Sequence, residues 1–263
     1  MSHEDVLVWD GTALQGSVAG TELLVADSWL VDDGAMAGLE RHRARFVGAC
    51  TAAGVSIDHA MRFMDAVPGH LPLTGRLFPR VEYGPGPGGL ELRLRVRPAP
   101  PTTETVVLAP HPGPDPRRAP RTKGPDLEML GGVRAQAAEL GAGEAVLCTE
   151  DGTLLEGAYS SVVWWRGDTL CLPDAELPVL DSVTRGRLVD AAAQRGVAVR
   201  HECVTPTDLD GLETWSLSAL HGIRAVTGWR GCEVRTGAVE RAPLWREVLA
   251  AEAVPLVRAG QPA

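Results

Sequence analysis

The period of apolar positions changes along the chain, and each change predicts an element. From Leu90 to Arg97 the alternation is strict. Leu90, Leu92, Leu94 and Val96 take one side and the charged residues the other, which predicts a half-buried strand with a solvated charged face. Short strands are also predicted over 5–11 and 23–31, the second closed by the break V-D-D-G at Val31 to Gly34. Between 35 and 53 the period becomes helical, with Met36, Leu39, Phe46 and Val47 on one stripe. Ser56 offers an N-cap for a second helix reaching about Val67. Gly84 to Gly89, G-P-G-P-G-G, reads as a hairpin break and not a phosphate loop, because no helix follows it. An apolar run at Thr105 to Ala109 is followed by P-H-P-G-P-D-P-R-R-A-P-R-T, whose prolines deny helix and strand alike. Beyond it, helices are expected over 126–140, 182–195 and 243–253. Strands are expected over 144–148, 160–165, 169–172, 197–204, 214–220 and from 222. The proline-rich stretch is taken as the domain boundary, giving a first domain at 1–109, a loop at 110–122 and a second domain at 123–263.

Charge and cysteine content narrow the function classes. A net charge of -9 argues against nucleic-acid binding, since no basic patch is set against it. Five cysteines without C-x-x-C spacing read as free thiols, with neither a disulfide frame nor a metal site. Met1 to Glu4 leads into no apolar signal region and no run approaches a membrane span, so a cytoplasmic protein is expected. One residue stands apart. Of the 25 Lys plus Arg, only Lys123 is lysine. Arginine serves most surface roles of lysine but stays protonated, whereas a desolvated lysine amine can attack a carbonyl or a pyridoxal aldehyde.

Three further stretches carry candidate chemistry. In D-G-T-L-L-E-G-A-Y-S-S-V-V-W-W, Asp151 to Trp165, Glu156 lies among apolar residues, where a carboxylate needs a positive partner. L-D-S-V-T-R, Leu180 to Arg185, opens a helix whose amides at Val183 and Thr184 can hold an anion. W-S-L-S-A-L-H-G-I-R-A-V, Trp215 to Val226, carries Ser218, His221 and Arg224. Together with K-G-P-D-L at Lys123 and H-R-A-R-F at His42, these stretches in this order resemble the class IV aminotransferases, the fold type IV family of pyridoxal-phosphate enzymes. That family includes branched-chain and D-amino acid aminotransferases and aminodeoxychorismate lyase.

The resemblance implies an α+β fold of two domains, a small α/β sandwich and a larger pseudobarrel-like domain, with the cofactor between them and a homodimer as the assembly. It implies pyridoxal 5'-phosphate as cofactor and Lys123 as the Schiff-base lysine. Glu156 is implied as the partner of the pyridine nitrogen. Arg45, Val183, Thr184, Ser218 and Ala219 are implied as phosphate contacts. The expected activity is transamination of a small amino acid and keto acid pair. The alternatives are a lyase like aminodeoxychorismate lyase and a non-catalytic descendant that binds the cofactor. Three departures from the family pattern bear on substrate class: Ser161 stands where Asn is usual, Glu128 where many members carry Tyr, and R-V-R-P-A-P at Arg95 to Pro100 replaces the strand ending T-R-G. For the substrate carboxylate two sets of cations are open, Arg93, Arg95 and Arg97 on the alternating strand or His221 with Arg224. The second is favoured because it follows Ser218 and Ala219 so closely.

Overall fold

The structure, a computed structural model, describes residues 5–16 and 22–256, so Met1 to Glu4 lie outside the described residues. Those of Met1–Pro101, Thr122–Pro125 and Glu252–Ala263 form one compact unit, and those of Thr102–Arg121 and Asp126–Ala251 a second. No helix of the described residues is long and apolar enough to cross a membrane.

The first unit is built on strands β1 (Asp5–Trp9), β2 (Leu14–Gly16), β3 (Val25–Ser28), β4 (Arg80–Gly86) and β5 (Gly89–Val96), in the order β2-β1-β5-β4-β3. Every pairing is antiparallel. Helices α1 (Leu39–Ala52) and α2 (Ile57–Ala66) join the sheet in one apolar core that includes Trp9, Val25, Phe46, Phe63, Leu92 and Leu94. Burying side chains such as Phe46 and Phe63 contributes about 1.5–3 kcal/mol each. Ser56 caps α2 as expected, its hydroxyl accepting from the His59 amide. The helical stripe begins later than Ala35, because Ala35–Met36 pairs with Val31–Asp32 and Val254–Pro255 in a small second sheet. Gly38, at φ 75, then turns the chain into α1.

The alternation of β5 is present, but its charged side is not solvated. Arg93 is 0% exposed and, with Arg80 and Arg95, surrounds the buried Glu82 of β4. Leu90, expected in the core, is 59% exposed at the hairpin.

The second unit is an eight-stranded mixed sheet. Its strands are β6 (Thr105–Pro110), β7 (Glu144–Cys148), β8 (Leu154–Gly157), β9 (Ser161–Arg166), β10 (Thr169–Pro173), β11 (Val199–Glu202), β12 (Thr214–Ser218) and β13 (Gly222–Trp229). Their order is β8-β7-β6-β13-β12-β9-β10-β11. Three neighbouring pairs are parallel, β6 with β7, β6 with β13 and β10 with β11; α3 (Leu127–Glu139) lies in the crossover from β6 to β7 and α4 (Val183–Gln194) in that from β10 to β11, since parallel neighbours need a crossover. With α5 (Ala242–Ala250) the sheet buries Trp165, Trp215 and Trp245, whose rings lie 5.4 to 6.3 Å apart. The sequence expectation assigned 105–109 to the first domain. Here β6 takes hydrogen bonds from β7 and β13 on either side, which places it inside the second unit's sheet. Lys123, expected at the head of the second domain, packs with the first unit.

Candidate active site

In the first unit, Lys123 is held by its backbone. Its carbonyl accepts from the Ala26 amide of β3 at 2.7 Å. Gly124, at φ +140, follows so closely that a Cβ there would meet Val25 and Ala26 backbone atoms at 2.9 Å. The K-G dipeptide is therefore a steric requirement of this seat, since only glycine combines that φ with that approach.

The next residue of β3 organises the H-x-x-R motif. Asp27 is fully buried, and its Oδ1 accepts from His42 Nδ1 at 2.8 Å, Arg45 Nη2 at 2.7 Å and the Ser28 amide at 2.7 Å. Arg45 Nε donates to Oδ2 at 2.8 Å. Burial pushes the Asp27 carboxyl up, but Arg45 and His42 outweigh it and hold the group far below the usual carboxylate range. Burial lowers the His42 pKa, and the positive charges of Arg45 and Lys123 add to that. A neutral His42 facing an ionised carboxylate must carry its proton on Nδ1.

The strand arginines surround Glu82. Arg80 Nε and Arg95 Nε donate to its Oε1 at 2.8 Å, and Arg93 Nε to Oε2 at 3.2 Å. Arg93 also donates to the carbonyls of Pro85 and Glu22. Arg97 donates from Nε to the Phe78 carbonyl at 2.7 Å and lies over the Phe78 ring.

In the second unit, Glu156 is 4% exposed on β8. Its Oε1 accepts from Arg117 Nη1 and from the Leu180 amide, the latter at 2.8 Å, and Oε2 takes no hydrogen bond among the described residues. Burial raises the Glu156 pKa and Arg117 opposes it. Arg117 is fixed in turn by Asp115 and by the Pro178 carbonyl. After Glu156 the chain turns at Gly157, where a Cβ would fall 2.2 Å from Ser160 Oγ. Ser161, in the usual place of Asn, has a buried hydroxyl with no partner among the described residues.

Ser182 caps α4 by accepting from the Arg185 amide. The amides of Val183 and Thr184 are left without an intrahelical acceptor, as at any helix start. Ser218 Oγ accepts from the His221 amide, and Ala219 lies in the turn between β12 and β13. His221 Nδ1 accepts from the Thr103 amide, so the proton of the neutral ring sits on Nε2. Burial first, then Arg224 and Arg134, lower the His221 pKa to about 4. Arg224, favoured above for a substrate carboxylate, is 4% exposed and already engaged: its Nη2 meets Glu144 Oε2 at 3.4 Å and Ser216 Oγ at 3.2 Å. Glu128 is exposed in the first turn of α3.

Asp27 and Arg117 were not anticipated from the sequence. Asp27 had a usable signal, an acid inside the apolar run L-L-V-A-D-S-W-L-V, where a carboxylate needs a partner as Glu156 does. Arg117 had none beyond its place in a loop.

Residues 24–229 match the sequence model of the family described as Amino-transferase class IV. The chain belongs to this family. No curated protein matches it. Among solved structures, a hypothetical aminotransferase from Mycobacterium tuberculosis in its PLP-bound form is 20% identical, with a TM-score of 0.74 over 95% of this chain and 98% of that one. The fold IV transaminase from Curtobacterium pusillum is 17% identical, with a TM-score of 0.76 over 95% and 98%. The branched-chain aminotransferase from Thermoproteus uzoniensis with norvaline is 14% identical, with a TM-score of 0.77 over 97% and 100%. At these identities the likeness is one of fold, and the α+β fold IV architecture is this chain's own.

Proposed function

We propose that the protein is a cytoplasmic, pyridoxal-phosphate-dependent aminotransferase acting on a small amino acid and keto acid pair, with Lys123 as the covalent anchor. The observation that carries the reading is the single lysine of an arginine-rich family member, seated on β3 by the Ala26 amide and followed by a glycine that nothing else could replace. The donor set fits the cofactor. Glu156 keeps one oxygen without a hydrogen-bond partner among the described residues while Arg117 opposes its protonation, which suits a group holding a proton on the pyridine nitrogen. Arg45, the amides of Val183 and Thr184, and Ser218 with Ala219 are the phosphate contacts in this reading, cationic or N–H donors as a phosphate requires.

Bound pyridoxal phosphate supplies an electron sink for negative charge at the substrate carbon. The chain's own part is to move protons and to hold charge. With the cofactor bound, the Lys123 amine would be the group that accepts and returns the proton of the substrate carbon. Glu156 would face the ring nitrogen and share its proton, and Arg117 keeps Glu156 in place. For the substrate carboxylate, the engagement of Arg224 with Glu144 and of Arg93 and Arg95 with Glu82 now favours Arg97, whose Nε donates to the Phe78 carbonyl and not to a carboxylate.

Borohydride reduction of the loaded protein should fix the pyridoxyl group on the peptide containing Lys123 alone. An unmodified Lys123 in a yellow protein would sink the assignment. Sustained turnover should require a keto-acid acceptor: without one a transaminase releases at most one equivalent of keto acid per bound cofactor, and release beyond that equivalent would make the protein a lyase. The reading carries a homodimer with it, and a monomeric mass for fully active enzyme in solution would count against that.

A further inference from the structure

Arginine presents five N–H groups in a rigid plane, and whichever carboxylate takes one edge of the plane decides where the others point. In the first unit Asp27 takes the Nε and Nη2 edge of Arg45 with both oxygens, at 2.8 and 2.7 Å. Its own orientation is fixed by two further donors, the Ser28 amide and His42 Nδ1. His42 is packed in turn against Trp29, ring to ring at 5.6 Å. We propose that Asp27, backed by His42, is the positioning residue of the cofactor-phosphate arginine: it presents the Nη1 side of Arg45 to the phosphate and so sets how tightly the cofactor is held. The inference rests on the reading of Arg45 as a phosphate contact.

Two effects of Asp27 oppose each other, and their balance gives the sign of the test. A carboxylate near a phosphate repels it and lowers affinity. A carboxylate that immobilises the arginine removes the ordering cost of binding and raises affinity. The second effect wins here, because the bidentate pair cancels the Asp27 charge at contact distance while it fixes the plane of the guanidinium. His42 adds no charge of its own, since burial keeps it neutral, and serves as a donor that stops the carboxylate from rotating.

The experiment is a titration of apo-protein with pyridoxal 5'-phosphate and, separately, with pyridoxal, which lacks the phosphate. It compares wild type, Asp27→Asn, His42→Ala, Arg45→Gln and the two double variants with Arg45→Gln. Asp27→Asn should weaken binding of the phosphorylated form about tenfold or more, the scale of one charge-assisted hydrogen bond, and change pyridoxal binding less than about twofold. His42→Ala should shift the same ligand in the same direction by a smaller factor, and it carries the test if Asp27→Asn does not fold. In the Arg45→Gln background neither change should have a further effect. Unchanged or tighter phosphate binding in Asp27→Asn, an equal loss for pyridoxal, or a full loss without Arg45 overturns the inference. A wild-type protein that binds neither ligand overturns the cofactor reading, and the inference with it.

Discussion

Glu144 and Arg224 show what a single buried charge requires. Glu144 lies within the sheet of the second unit, its pKa raised by burial, and Arg224 and Arg134 supply the opposing charge. Arg224→Ala removes one of these cations and should cost roughly 3 kcal/mol of stability, because a buried carboxylate left short of its partner is more damaging than a missing pair. The sign of its pH dependence follows from the raised pKa. Protonated Glu144 needs no partner, so the gap between variant and wild-type melting temperature should narrow as pH falls. Arg97→Ala should instead leave stability near wild type and raise the Michaelis constant about ten- to a hundredfold. If Arg224→Ala gave the kinetic defect and Arg97→Ala the unfolding, the carboxylate site would return to the turn after Ser218. At this scale the sequence is half readable. The apolar flanks of Glu156 announced a buried acid, and the same pattern around Asp27 was there to use. The partner of Glu156 was not visible, because Arg117 lies 39 residues away in a loop without periodicity, and only the folded chain joins them.

Strand β3 does more than complete a sheet edge. Its backbone holds the lysine and its side chain holds the arginine, at consecutive positions. Gly124→Ala tests how tightly that seat is built. A methyl group 2.9 Å from the β3 backbone, at a φ that other residues rarely adopt, should cost roughly 1–3 kcal/mol and displace Lys123. The check is a lower melting temperature together with slower borohydride trapping at Lys123; full trapping and an unchanged melt would mean the seat is loose. The elements themselves were largely legible, because alternation and helical stripes are local properties. The side of β5 was misjudged for a non-local reason: Glu82, the residue that draws its arginines inward, stands on the neighbouring strand. The start of α1 was misjudged in the same way, since the strand that pairs with Ala35–Met36 comes from the far end of the chain.

For the whole molecule the domain boundary was the least legible feature, because membership is decided by contacts that the order of residues does not display. The first unit draws on three separate stretches, and the last of them includes Val254–Pro255 paired with Ala35–Met36, and Leu256, whose amide donates to the Gly34 carbonyl at 2.7 Å. A chain ended after Ala251 should therefore lose protease resistance first in residues 31–36, and retention of full resistance there would show the closing strand to be dispensable. The same pairing sets an order of events during synthesis. The unit that contains the first described strand can close only after the segment containing Val254 has left the ribosome, whereas every strand of the second unit has been made by Trp229. The half that is translated first is finished last, and until then its nascent edge at Ala35–Met36 is open to whatever else can add a strand.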